Sequence, residues 1–184
     1  IDVVGIPNVH ITDNRIIYTH AEIAGEYEAL IKVYTPENAV IRNNVLTATS
    51  LPEPTTWPLR FIRIQGNGIV VSENTVNDVT GLGEVDGIVL NTSGGTEDIM
   101  ILNNWFKDGR LIITNYMVGD NIMIHGNTMS SIGGMRDSAH PPWGMYDIKF
   151  NKFTGSDPIP TKLKPASNLN EIDGQMVGTL VAPE

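Results

Sequence analysis

The chain has no cysteine, no run of 18 apolar residues, and only four Phe, five Tyr and three Trp among 184 residues. Without cysteine there are no disulfide staples and no thiolate chemistry, and the redox compartment stays undecided. Without a long apolar run no membrane-spanning helix is expected, and no signal peptide is visible. Basic residues are scarce: 12 Lys and Arg against 21 Asp and Glu give a net charge of -9. That balance argues against nucleic acid, which wants a basic stripe, and mildly against a polyanionic substrate unless a local basic patch overrides it. There is no His-x-Glu metal spacing, no phosphate-cradling glycine loop and no nucleophile elbow, so no metal or other cofactor is expected. The length allows one or two domains with a sizeable core. The chain opens on Ile rather than Met, which reads as a processed product or a proteolytic core.

What is present is a repeat. Asn14, Asn44, Asn74, Asn104, Asn127 and Asn151 each sit in the phrase Ile/Val-x-x-Asn-x-apolar, at spacings of 30, 30, 30, 23 and 24 residues. A fixed period in this range marks a repeat architecture. Three residues before each asparagine stand Ile11, Ile41, Val71, Ile101, Ile124 and Ile148. Five before stand Val9, Ala39, Ile69, Ile99, Ile122 and Tyr146. Two after stand Ile16, Leu46, Val76, Phe106, Met129 and Phe153. The period of two before the asparagine is a strand with one face turned inward. The asparagine makes a corner, since it tolerates the left-handed conformation, and stacked corners allow a ladder of amide hydrogen bonds. A third strand per coil is visible at Leu30–Val33, Phe61–Ile64, Gly87–Leu90 and Arg110–Ile113.

Three strands per coil of 23–30 residues predict an all-β, right-handed single-stranded parallel β-helix over residues 1–154. An antiparallel sandwich also spaces short strands regularly, but it would not keep one inward position β-branched in every repeat. Residues 155–184 leave the repeat and read as an irregular cap or a linker to a further module.

Four residues before each asparagine, pointing outward, stand His10, Val40, Val70, Met100, Met123 and Asp147. The stripe Val40, Val70, Met100 and Met123 is a candidate subunit interface, because monomers rarely leave continuous apolar patches in water. Lys32 and Arg63 are outward on consecutive coils, followed by Val89 and Ile112, with Arg60 nearby; they are candidates to hold an acidic sugar. Glycoside hydrolysis needs two carboxylates at a set separation. The acidic groups are Asp78, Glu84 and Asp86, then Glu97, Asp98 and Asp108 one coil on, with His20, Glu22, Glu26 and Glu28 in the first coil. Asp78, Asp86 and Glu97 are the catalytic candidates. Two loops carry Trp57 and the group Arg136, Asp137, His140, Trp143 and Tyr146; Trp57, Asp137, His140, Trp143 and Tyr146 are candidate glycan contacts.

The recurring phrase over residues 9–153 resembles the pectate-lyase-like right-handed β-helix superfamily. Its loop-laden coils and apolar stripe look most like bacteriophage tailspikes and tail appendage proteins. That resemblance implies a homotrimer in the virion tail or outside the cell that binds, and often hydrolyses, bacterial surface polysaccharide. The alternatives are a free polysaccharide lyase or glycoside hydrolase of the β-helix class, and a structural or adhesive β-helix with no catalysis. Pectate lyases use calcium-binding aspartates with an arginine, and Lys32 and Arg63 have no such aspartate cluster beside them in sequence.

Overall fold

Each repeat phrase folds as strand, corner and strand. The computed structural model describes residues 1–18, 29–35, 37–48, 59–77, 85–91, 96–114, 120–133, 146–155, 158–159, 167–172 and 174–177. The first rung is β1 (Asp2–Val4), β2 (Val9–Thr12) and β3 (Arg15–Tyr18). The second is β4 (Ile31–Thr35), β5 (Ala39–Arg42) and β6 (Val45–Ala48), and the third β7 (Leu59–Gly66), β8 (Ile69–Ser72) and β9 (Thr75–Val76). Then come β10 (Val85–Asn91), β11 (Glu97–Leu102) and β12 (Trp105–Thr114), where the last strand of one rung runs into the first of the next. β13 (Asp120–His125), β14 (Thr128–Gly133), β15 (Tyr146–Lys149) and β16 (Lys152–Phe153) continue the coil. β17 (Ser167–Asn168), β18 (Asn170–Ile172) and β19 (Gln175–Val177) close it.

These strands stack in parallel into a seven-stranded and a twelve-stranded sheet, and only β18 and β19 pair antiparallel among the described residues. The chain is a parallel β-helix. Register follows the repeat: Ile11, Ile41, Val71, Ile101, Ile124 and Ile148 stand one above another. All six are buried in one continuous core with Leu46, Phe106, Met129 and Phe153. No rung buries its apolar face alone, so stability comes from stacking.

The asparagines form the expected ladder. Each Nδ2 donates to the Oδ1 of the next, at 2.9 Å from Asn14 to Asn44, 2.8 Å to Asn74, 2.9 Å to Asn104, 3.0 Å to Asn127 and 2.9 Å to Asn151. The remaining donor capacity goes to backbone; Asn74 also bonds Ile41 O and Ser72 O. One detail differs from the sequence reading. The left-handed residue is the one before the ladder asparagine: Asp13, Asn43, Glu73, Asn103, Gly126, Phe150 and Leu169, with φ between 52° and 67°. Its reversal turns the following amide inward, where it reaches its neighbours.

A second left-handed column, six residues before the ladder, comprises Asn8, Asn38, Gly68, Asp98 and Asn121. The four-residue strands β2, β5 and β8 are thus pinned at both ends. The stack also runs one rung past Thr154. β17 and β18 pair in parallel with β15 and β16, and Asn151 Nδ2 donates to Asn170 Oδ1 at 3.0 Å. The repeat phrase hides that rung, because Ser167 replaces the β-branched residue three positions before Asn170.

Candidate functional site

Two outer faces carry the chemistry. On the twelve-stranded sheet, Lys32, Arg63, Val89 and Ile112 occupy one register row, as the repeat predicts. Their exposure was not predictable from it. Lys32 is half-buried and pairs with Asp2 at 2.8 Å. Arg63 is only 5% exposed, its guanidinium 5.7 Å from the centre of the Tyr34 ring, and Val89 is 1% exposed. Lys32 approaches the same ring to 5.5 Å. Tyr34 therefore sits between two cations, an arrangement in which the ring quadrupole favours both.

A second row carries three charges before it reaches Ser131 on β14. Arg60, Asp86 and Arg110 lie opposite one another on β7, β10 and β12. Arg110 Nη2 is 2.9 Å from Asp86 Oδ1, and Arg60 Nε is 3.6 Å from Asp86 Oδ2. Asp86 is 2% exposed. Burial pushes its carboxyl above the ordinary 3.8, against the lowering influence of Arg110 and then Arg60. A bulge at Gly87 brings Asp86 opposite Arg110 while Ile88 meets Leu111. Gly87 is required there because any Cβ would collide with the Phe106 ring. Beyond the charges, Asn91 Nδ2 donates to Gln65 Oε1 at 2.7 Å.

On the seven-stranded sheet, Val40, Val70, Met100 and Met123 stand in register between His10 and Asp147. Met100 is 38% exposed and the other three are half-buried. Polar groups flank the stripe. Arg42 and Glu73 form a bidentate pair with N–O distances of 3.0 to 3.1 Å. Asp147 takes His125 Nε2 at 3.0 Å and Lys149 Nζ at 2.9 Å.

The carboxylates named from sequence do not come together among the described residues. Asp86 is in β10 of the twelve-stranded sheet and Glu97 opens β11 of the seven-stranded one. Glu97 is exposed and its backbone N–H bonds Asn67 Oδ1 at 2.9 Å. Asp98 is a left-handed corner whose Oδ1 accepts from Asn121 at 2.7 Å. Tyr146 is a correction: it occupies the inner position of β15, 8% exposed and packed in the core, so its ring offers no face to a sugar. Asp78, Trp57, Asp137, His140 and Trp143 lie outside the described residues, as do Glu84, Arg136, His20, Glu22, Glu26, Glu28 and the side chain of Asp108. Among the described residues no three His, Asp or Glu side chains gather closely enough to hold a metal ion.

Sequence reasoning missed Arg110 as a partner of Asp86, and missed Tyr34, Gln65 and Asn91. The signal for Arg110 was its place at the start of a third-strand phrase, but the bulge hides the register that carries it to Asp86. In comparisons with known proteins, no family model, no curated protein and no solved structure matches the chain.

Proposed function

We propose that the chain is a β-helical module of a tailspike or tail-appendage type that binds bacterial surface polysaccharide and assembles as a trimer. One observation carries the reading: the outer face of the twelve-stranded sheet holds Lys32, Tyr34, Arg63, Gln65, Asn91 and Arg110 on consecutive rungs, fixed by ion pairs, ring contacts and amide bonds. Rungs repeat every ~4.8 Å, so a linear polymer lying along the axis meets the part-exposed Lys32, Tyr34, Gln65 and Arg110, while the buried Arg63 and Asn91 hold Tyr34 and Gln65 from beneath. Lys32 and Arg110 keep part of their surface in water and supply the charge that an acidic sugar needs. The placement of Asp86 and Glu97 on different sheets favours binding over cleavage by these two residues.

The test is calorimetric titration with an acidic capsular polysaccharide beside a neutral one. Binding should prefer the acidic polymer and weaken about tenfold in Arg110→Met and in Lys32→Ala, the equivalent of ~1.4 kcal/mol each. Equal binding to both polymers, untouched by either substitution, defeats the reading. The trimer is tested separately by light scattering. A mass three times the 20.1 kDa chain, lost in Met100→Lys, supports the stripe as the interface. A trimer that survives Met100→Lys assigns the interface elsewhere.

A further inference from the structure

Among the described residues two large aromatic rings stand in water, and both lie beside the asparagine corner. Trp105 is 41% and Phe150 58% exposed. Trp105 opens β12, in one outward row with Thr75 on the rung before it, Thr128 on the rung after and Lys152 one rung farther. Phe150 is the left-handed residue before Asn151, and it stacks in the corner column over Gly126 and Asn103. Two rungs separate Asn103 from Phe150, so the aromatic rings are carried about 10 Å apart along the axis.

Phe150 holds its place against local preference. In the left-handed conformation a Cβ crowds the following carbonyl, and Asp13, Asn43, Asn103 and Gly126 are the short polar or bare residues that tolerate it. Leu169 departs from that pattern as well, but it is half-buried, whereas Phe150 keeps most of its ring in water. Backbone strain of this kind gathers at ligand sites. The ring is also held in place: it meets His125 edge-on at 6.0 Å, and His125 is fixed by Asp147 at 3.0 Å. Between the two aromatics the surface is uncharged. Gly126 has no side chain, and the Asn103 amide fills the space where its Cβ would stand. Thr128 is half-buried at an outward position on the same rung. The nearest charge in the row, Lys152, is paired with Glu171 at 2.9 Å.

We propose that Trp105 and Phe150 flank a binding site for uncharged sugar rings, with Asn103 and Thr128 bonding the sugar hydroxyls. The inference rests on the reading of the chain as a polysaccharide binder, and it adds a subsite apart from the rows that hold Lys32 and Arg110. A pyranose carries C–H groups on its face and hydroxyls around its rim. An exposed aromatic face takes the first, and an amide and a hydroxyl take the second. Two rungs between the aromatics let each take a separate ring of one oligosaccharide. A peptide strand finds no edge here, because the N–H groups of Asn103, Gly126 and Phe150 already bond the next rung at 3.0, 3.2 and 3.1 Å. An acidic sugar finds no cation that Glu171 does not already hold in this row beside Trp105 and Thr128.

The test is an array of uncharged bacterial oligosaccharides, followed by titration of a retained member. Binding should weaken about tenfold in Trp105→Thr and in Phe150→Asn, and Trp105→Phe, which keeps an aromatic face, should recover most of it. Trp105→Thr repeats the residue found on both neighbouring rungs and Phe150→Asn relieves the corner, so urea unfolding should show both variants folded. Arg110→Met is the control: it should leave the uncharged ligand unaffected while weakening the acidic polymer. Retention of no uncharged member, or retention indifferent to both substitutions, overturns the inference and leaves the acidic face to its own titration. Loss of the trimer mass in Trp105→Thr also overturns it, by assigning the rings to a subunit contact. Uncharged binding that needs Trp105, found without any preference for the acidic polymer, keeps this site and defeats the acidic one.

Discussion

Along one corner of the solenoid identical amides stack on each other for seven rungs, while along the row Arg60, Asp86 and Arg110 neighbours alternate in sign. Both rows are buried at their centres, and both repeat at the strand spacing of ~4.8 Å. A primary amide carries donor and acceptor together, so it can stack on itself without limit and every copy is satisfied. A charge cannot. Like charges at that spacing repel inside a poorly polarisable interior, so around Asp86 the sign changes from rung to rung, and where two cations do stack, at Lys32 and Arg63, Asp2 and the Tyr34 ring lie beside them. The same rule holds at Asp2–Lys32, Arg42–Glu73 and Lys152–Glu171. The neutral ladder is therefore written as a repeat, and the row around Asp86 as an alternation that no single repeat unit displays.

Breaking the amide row should cost most. Asn74→Ala removes a buried side chain that accepts from Asn44 and donates to Asn104, Ile41 and Ser72. A loss of ~3 kcal/mol is expected, read as a lowered urea midpoint, because the partners stay buried without replacements. The charged row should yield less. Arg110→Met leaves Asp86 with Arg60 alone, at about 2 kcal/mol, below the cost of breaking a fully buried pair because Arg110 is a quarter exposed.

The charged row also makes stability depend on pH, as the amide row does not. The Asp86 carboxyl sits above 3.8 in the fold, so between the two values the folded chain binds more protons than the unfolded one. Its contribution is fully present below 3.8 and declines as the pH rises through the raised value. Urea midpoints across that interval should fall with pH in the unaltered chain and stay flatter in Asp86→Asn. An identical slope in both would remove Asp86 as the cause.

Smaller effects sharpen the contrast between inward and outward polar groups. Asn38 is also left-handed, at φ 49°, but exposed, with one amide bond to Asn8. Asn38→Ala should cost ~1 kcal/mol, the penalty of a Cβ without a compensating local bond in that conformation, and about a third of the Asn74 effect. Phe150 holds the same conformation at φ 57° with its ring mostly in water. Phe150→Asn should raise stability by roughly 0.5 kcal/mol, unless the edge contact of its ring with His125 at 6.0 Å contributes more than the strain.

Most of the coil was legible because its signal is local. A β-branched residue three before each asparagine and an apolar one two after are what stacked strands require, and six phrases repeated the demand. The Asn170 rung was illegible because Ser167 breaks the pattern within a shorter interval. The candidate surface was half legible. Lys32 and Arg63 follow from alternation, whereas Arg110 meets Asp86 only through the bulge at Gly87. Tyr146 shows the converse, since one position counted as both inner residue and loop aromatic, and the inner place won.

The sequence by itself determined the winding of the chain, the inward set and the asparagine corner, because each rests on a period that neighbouring residues already display. The tertiary structure alone decided which outward side chains are shut from water and which charges meet. Those depend on register between rungs and on what lies over each face, and such relations join residues more than twenty positions apart that no local pattern links.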